Sequence, residues 1–167
     1  TSLLANKFFE ISEIHAFEPN EECIKFDKKI GFKNVRINNV GVGEKKCIKK
    51  FRKNAFSQIN SFKSFDEKNK YTKIKKIILK LLFLKNIKNT YRYVKIIELN
   101  NYCFKNKINR IDILKIDAEG SELDVLKGLK ARISKVRCVL LEHHYDKSLI
   151  KNYTFSDINT LLLNNRF

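Results

Sequence analysis

Short apolar runs, each closed by a turn signal and separated by residues at helical spacing, constrain this chain more than any other feature. Ile14, Ala16 and Phe17 form one such run, which stops at Glu18-Pro19-Asn20. Proline lacks the N–H that a strand uses and suits the first turn of a helix. Ahead of it, Leu3, Leu4, Phe8 and Ile11 recur at helical spacing, so a helix is expected from Thr1 or earlier. A second helix is expected over Glu21 to Lys29, ended at Gly31, where a left-handed cap costs glycine little. Val35, Ile37, Val40 and Val42 then mark a β-rich segment from Asn34 to Val42, closed by Gly43-Glu44. Such alternation predicts a mainly parallel sheet with helices on its faces.

Further on the pattern weakens and then returns. Cys47 to Phe51 reads as a short strand, and Ser57 to Lys70 as polar and irregular. Within residues 68–89, Tyr71, Ile74, Ile77, Ile78, Leu81 and Leu82 repeat at three and four residues with lysines between them, an amphipathic basic helix. It either covers the sheet, forms an insertion, or docks residues 71–85 weakly on a membrane surface or a partner. Strands are expected over Tyr93 to Leu99, over Ile111 to Ile116 ending at Asp117, and over Val136 to Glu142 ending at His143-His144. Ser121, with an acidic residue three positions on, predicts a side-chain-capped helix running to Lys127 near Gly128. A last helix is expected over Phe155 to Asn164.

With 167 residues and 43% hydrophobic content, the chain suffices for a single domain with a true core. A net charge of +17 invites a nucleic-acid partner. Against this, the excess comes from 28 lysines and only 7 arginines spread along the whole chain, without the clustered arginine forks that read bases or phosphates. Cys23, Cys47, Cys103 and Cys138 form no C-x-x-C pair, match no zinc spacing with His15, His143 or His144, and read as reduced thiols of a cytoplasmic protein. No apolar stretch is long enough for a transmembrane helix, and no signal peptide is visible.

Two apolar runs end in carboxylates: Glu18 after Ala16-Phe17, and Asp117 with Glu119 after Ile113-Leu114-Lys115-Ile116. In open parallel sheets ligands collect outside the carboxyl ends of strands, and an acid there accepts hydrogen bonds from both hydroxyls of a ribose. The plainer alternatives are that Glu18 is a solvated turn carboxylate and that Asp117 and Glu119 only fix a turn. For His143 and His144 the plainer reading is a packed or solvated pair at a strand end.

The combination of Ala16-Phe17-Glu18-Pro19-Asn20, Asn34-Val35 through Asn39 to Gly43, the segment Ile111-Asp112-Ile113-Leu114-Lys115-Ile116-Asp117-Ala118-Glu119-Gly120-Ser121-Glu122-Leu123-Asp124-Val125-Leu126-Lys127-Gly128, and Val139-Leu140-Leu141-Glu142 resembles the FkbM methyltransferase family in residues, order and spacing. The resemblance implies a Rossmann-like class I methyltransferase fold, an α/β three-layer sandwich. It implies S-adenosyl-L-methionine as methyl donor and a hydroxyl of a small molecule or glycan as acceptor. Glu18, with Pro19 and Asn20, would hold the ribose, and Asn39 would lie near the adenine. Thr1 and Ser2 would be the tail of a glycine-rich turn at the cofactor. Asp117 would contact cofactor and orient or deprotonate the acceptor, with Glu119 and His143 behind it. Glu18, Asn39 and Asp117 are expected on one rim of one sheet. Against the family pattern, Leu99-Asn100 replaces a Leu-Asp pair, and the chain is expected to be a piece lacking the first strand, its glycine loop and the terminal strands.

Overall fold

The computed structural model describes residues 13–21, 23–24, 34–53, 70, 74, 77, 90–143, 145 and 150–167. The chain forms two compact units, one up to Gly41 and one from Val42 on. Thr1 and Ser2, the first expected helix, Gly31, His144 and most of the basic segment are outside the described residues. Of that segment, Lys70, Ile74 and Ile77 are helical, and both isoleucines are exposed.

In the first unit, β1 (Ile14–Phe17) and β2 (Val35–Asn38) pair in parallel, from Ile14 against Val35 to Phe17 against Asn38. The ladder continues one step beyond the strands, where Glu18 N–H donates to Asn38 O at 3.0 Å. Glu21, Cys23 and Ile24 are helical, and the Ile24 N–H donates to Asn20 O, so the helical turn starts at Asn20 as the proline predicts. The expected Asn34-to-Val42 segment is not one strand: β2 stops at Asn38, and Gly41–Val42 form a separate short β3 in another sheet. The break has a local cause. Val40 N–H turns back to Asn38 O at 2.9 Å, and the Asn38 amide donates to Ala16 O and Arg36 O, so asparagine hydrogen bonds compete with the extended backbone.

In the second unit, β4 (Cys47–Lys53) and β5 (Thr90–Ile97) join β3 in the order β3-β5-β4. β4 and β5 run antiparallel, a departure from the mainly parallel expectation. Val94 and Ile96 are buried while Tyr91, Tyr93 and Lys95 are exposed, so this strand has one face in the core and one in water, as antiparallel sheets allow. Beyond it, α1 (Leu99–Lys105) stands where the sequence suggests only a strand end. Its signal is the i, i+4 pair Leu99 and Cys103, both buried. Burial raises the Cys103 thiol pKa.

The strongest sequence segment becomes β6 (Ile111–Ile116), α2 (Glu122–Lys127), a 3₁₀ stretch over Lys130–Lys135, and β7 (Val136–Leu141), with β6 and β7 parallel. Val125, Leu126, Leu129 and Ile133 recur on one side and are buried with Ile116, Val136 and Ile158 of α3 (Phe155–Leu163). Gly128 ends α2 in a right-handed conformation, φ −66°, so no left-handed cap requires it. Its role is space. A Cβ there would come within 2.3 Å of Gly43 O.

Candidate functional site

Each unit carries a carboxylate just past the carboxyl end of a parallel strand pair. In the first, Asn39 Nδ2 donates to Glu18 O at 3.0 Å and to Pro19 O at 3.3 Å, tying the end of β2 to the Glu18-Pro19 turn. Glu18 Oε1 accepts the Asn20 N–H at 2.6 Å, bracing the start of the helical turn. Asn20 is 1% exposed and directs its amide to Cys23 Sγ at 3.4 Å. Of the residues expected at the donor, Glu18, Pro19, Asn20 and Asn39 come together in one hydrogen-bonded turn.

In the second unit, Ile116 pairs with Leu141, and the Glu142 N–H donates to Ile116 O at 3.0 Å. Asp117 and the Glu142-His143 pair thus leave the sheet from neighbouring strands. Asp117 is half exposed and its Oδ2 is 3.3 Å from Lys115 Nζ. The chain then turns through Glu119, φ 46°, and Gly120, φ 89°, two successive residues in the left-handed region. The Ser121 N–H closes this turn on Ala118 O at 3.1 Å.

Ser121 does not cap α2 with its side chain. Its φ of −117° and ψ of 17° depart from the extended backbone that a capping serine adopts, and its hydroxyl is buried with no hydrogen-bond partner among the described residues. The turn is held instead by a residue to which the sequence reading assigned no role. Glu122 is 1% exposed; its Oε1 accepts the Gly120 N–H at 2.9 Å, and its Oε2 accepts the Tyr153 hydroxyl. Burial, reinforced by the hydrogen bond to Glu122, raises the Tyr153 pKa. The available signal was spacing: Glu122 stands three, four and seven residues before Val125, Leu126 and Leu129, on the buried side of α2.

His143 sits in an aromatic cluster. Its ring meets Tyr145 edge-on at 4.9 Å between centroids, with Phe155 at 5.5 Å and Tyr153 at 6.0 Å. Lys151 Nζ stands 3.4 Å from His143 Nε2. This packing gives substance to the plainer reading of His143 as a packed ring. A groove lined by Ser134–Arg137 and Asn164–Phe167 opens at the start of β7, the far end from Asp117 and His143. Among the described residues, no three His, Cys, Asp or Glu side chains gather to hold a metal ion.

A family model described as the methyltransferase FkbM domain matches residues 4–167. The chain belongs to the FkbM methyltransferase family. No curated protein and no solved structure gives a significant match. In this FkbM-family chain, Glu18, Pro19, Asn20 and Asn39 are in the first unit with the β1-β2 sheet, and Asp117, Glu119 and His143 in the second with the β6-β7 sheet, so among the described residues the expected single sheet carrying Glu18, Asn39 and Asp117 on one rim is not formed. Asp117 and Glu119 share one turn. His143 follows the neighbouring strand.

Proposed function

We propose that this protein is an S-adenosyl-L-methionine-dependent methyltransferase acting on a hydroxyl of a small molecule or glycan. The observation that carries the reading is that Glu18 and Asp117 each follow the carboxyl end of a parallel strand pair in a chain of this family. A class I sandwich goes with it. Ile113 is 62% and Leu140 54% exposed on β6 and β7, whereas parallel strands ordinarily carry apolar cover on both faces.

The residues present fit a nucleoside donor. A carboxylate accepts hydrogen bonds on both oxygens, and Glu18, which accepts the Asn20 N–H on Oε1, is the type of group to which a vicinal diol donates. Pro19, Asn20 and Asn39 hold the turn on which it stands, and Thr1 and Ser2 are assigned to the donor on the family resemblance alone. The donor, when bound, supplies a methyl group already activated on a sulfonium. Alignment and exclusion of water are what remain for the protein. Asp117 would contact the donor and orient the acceptor hydroxyl or take its proton, with Glu119 and His143 as further candidates. Four cysteines outside any disulfide favour a cytoplasmic location, and among the described residues no helix is long and apolar enough to cross a membrane.

Calorimetric titration of the complete gene product with S-adenosylhomocysteine tests the reading. Saturable binding that Glu18→Ala weakens is expected, and absence of binding would remove it. A second reading, nucleic-acid binding, draws on one face of β4 and β5, where Tyr91 and Tyr93 are 54% and 77% exposed beside exposed Lys50 and Lys95. Steep salt dependence of binding to single-stranded RNA would support it. The helical, exposed Ile74 and Ile77 leave weak membrane-surface contact through residues 71–85 as a proposal for vesicle sedimentation to decide.

A further inference from the structure

We propose that Glu122 and Tyr153 are a positioning pair that fixes the shape of the Asp117–Gly120 turn from beneath, and so sets how Asp117 meets its ligand. The inference rests on the methyltransferase reading for what that ligand is. Its structural half stands on geometry alone.

A carboxylate that is 1% exposed, on a helix side otherwise filled by Val125, Leu126 and Leu129, is costly to bury unless its oxygens are satisfied. Both are. Oε1 takes the Gly120 N–H and Oε2 the Tyr153 hydroxyl, so Glu122 bridges a turn two residues behind it to a side chain thirty-one residues ahead. The turn needs such a hold. Glu119 and Gly120 sit consecutively in the left-handed region, sparsely populated for any residue with a Cβ, and such conformations persist where surrounding contacts over-determine them.

Tyr153 is itself anchored. It directly precedes Thr154, the N-cap of α3, and the start of that helix is locked by Asp157 Oδ2 accepting from the Thr154 N–H at 2.7 Å and from the Thr154 hydroxyl at 2.9 Å. Around the Tyr153 ring stand His143 at 6.0 Å and Lys151 Nζ at 5.6 Å, while Asp124 opposes ionisation of its hydroxyl. With burial the largest cause and Glu122 the next opposing ionisation, the phenol remains a hydrogen-bond donor well above neutral pH. Asp117, by contrast, touches neither member of the pair in any contact described above, so this duty is separate from the chemistry assigned to it.

The test compares Glu122→Ala, Glu122→Gln and Tyr153→Phe in the complete protein. Hydrogen exchange is followed at the Gly120 amide and at Val125 and Leu126, and S-adenosylhomocysteine affinity by calorimetry. Glutamine keeps both contacts: its carbonyl accepts from Gly120, and its amide donates to the tyrosine oxygen. Gly120 exchange should rise about tenfold in Glu122→Ala and Tyr153→Phe, stay near wild type in Glu122→Gln, and leave Val125 and Leu126 unchanged. Affinity should fall about tenfold in the same two variants and recover with glutamine. Unchanged Gly120 exchange in Tyr153→Phe, or a rise shared equally by Val125 and Leu126, overturns the positioning role. If wild-type protein binds no S-adenosylhomocysteine, the methyltransferase reading fails, while the exchange pattern still decides the pair.

Discussion

The two parallel strand pairs are each followed by a carboxylate but divide its work differently. After β1, the carboxylate Glu18 braces its own turn through Asn20 N–H and is also the group proposed to meet the donor. After β6, bracing belongs to the buried Glu122, and the half-exposed Asp117 is left with only Lys115 as its described ion-pair partner. The difference teaches how to read a mutation. A change at Glu18 confounds shape with binding, whereas the second turn allows the two to be altered one at a time.

The largest effect would come from unseating the second turn's helix altogether. Gly128→Ala places a Cβ 2.3 Å from Gly43 O, a backbone atom that cannot swing aside. The expected loss is about 3 kcal/mol of unfolding free energy by urea titration, at the upper end of overpacking costs. A loss under about 0.5 kcal/mol would mean that the two glycines do not set this seat.

Next is Asp117→Asn, which should lower turnover about a hundredfold, the lower end of general acid–base contributions. Stability should change by less than about 0.5 kcal/mol, because the Lys115 pair is exposed. If stability falls in step with turnover, the proposed division of labour is broken. Glu18→Ala should do both things at once. It should cost about 1 kcal/mol of stability through the lost Asn20 bond and about tenfold in S-adenosylhomocysteine affinity. An affinity loss with stability untouched would make the two regions alike.

The smallest effect is pH-dependent and confined to the second region. The Thr154 N–H, followed by its hydroxyl, holds the Asp157 carboxyl below its ordinary value of 3.8. Because the folded value is the lower one, this contribution is present above pH 3.8 and is lost as pH falls through the depressed value. Asp157→Asn should therefore flatten the acid limb of the stability curve slightly, and urea midpoints between pH 5 and pH 2 would check this.

Much of the second turn was legible in the residues themselves. The aliphatic run into Asp117 gives β6 its place, and the stripe Val125, Leu126, Leu129 gives α2 its buried side. Serine at position 121 misled because its type fits a cap, but the chain reaches it from a left-handed glycine with the wrong ψ and its hydroxyl buried. The split between β2 and β3 escaped a reading by alternation, since the asparagine amides at 38 and 39 act on carbonyls some twenty residues away.

Sequence alone determined which residue types stand after each apolar run, because strand and helix periods are local properties of side-chain direction. Tertiary structure decided what those side chains do. Whether Glu122 faces water or Tyr153, and whether Gly128 caps a helix or makes room for Gly43, depends on segments distant along the chain, and no local pattern encodes their arrival.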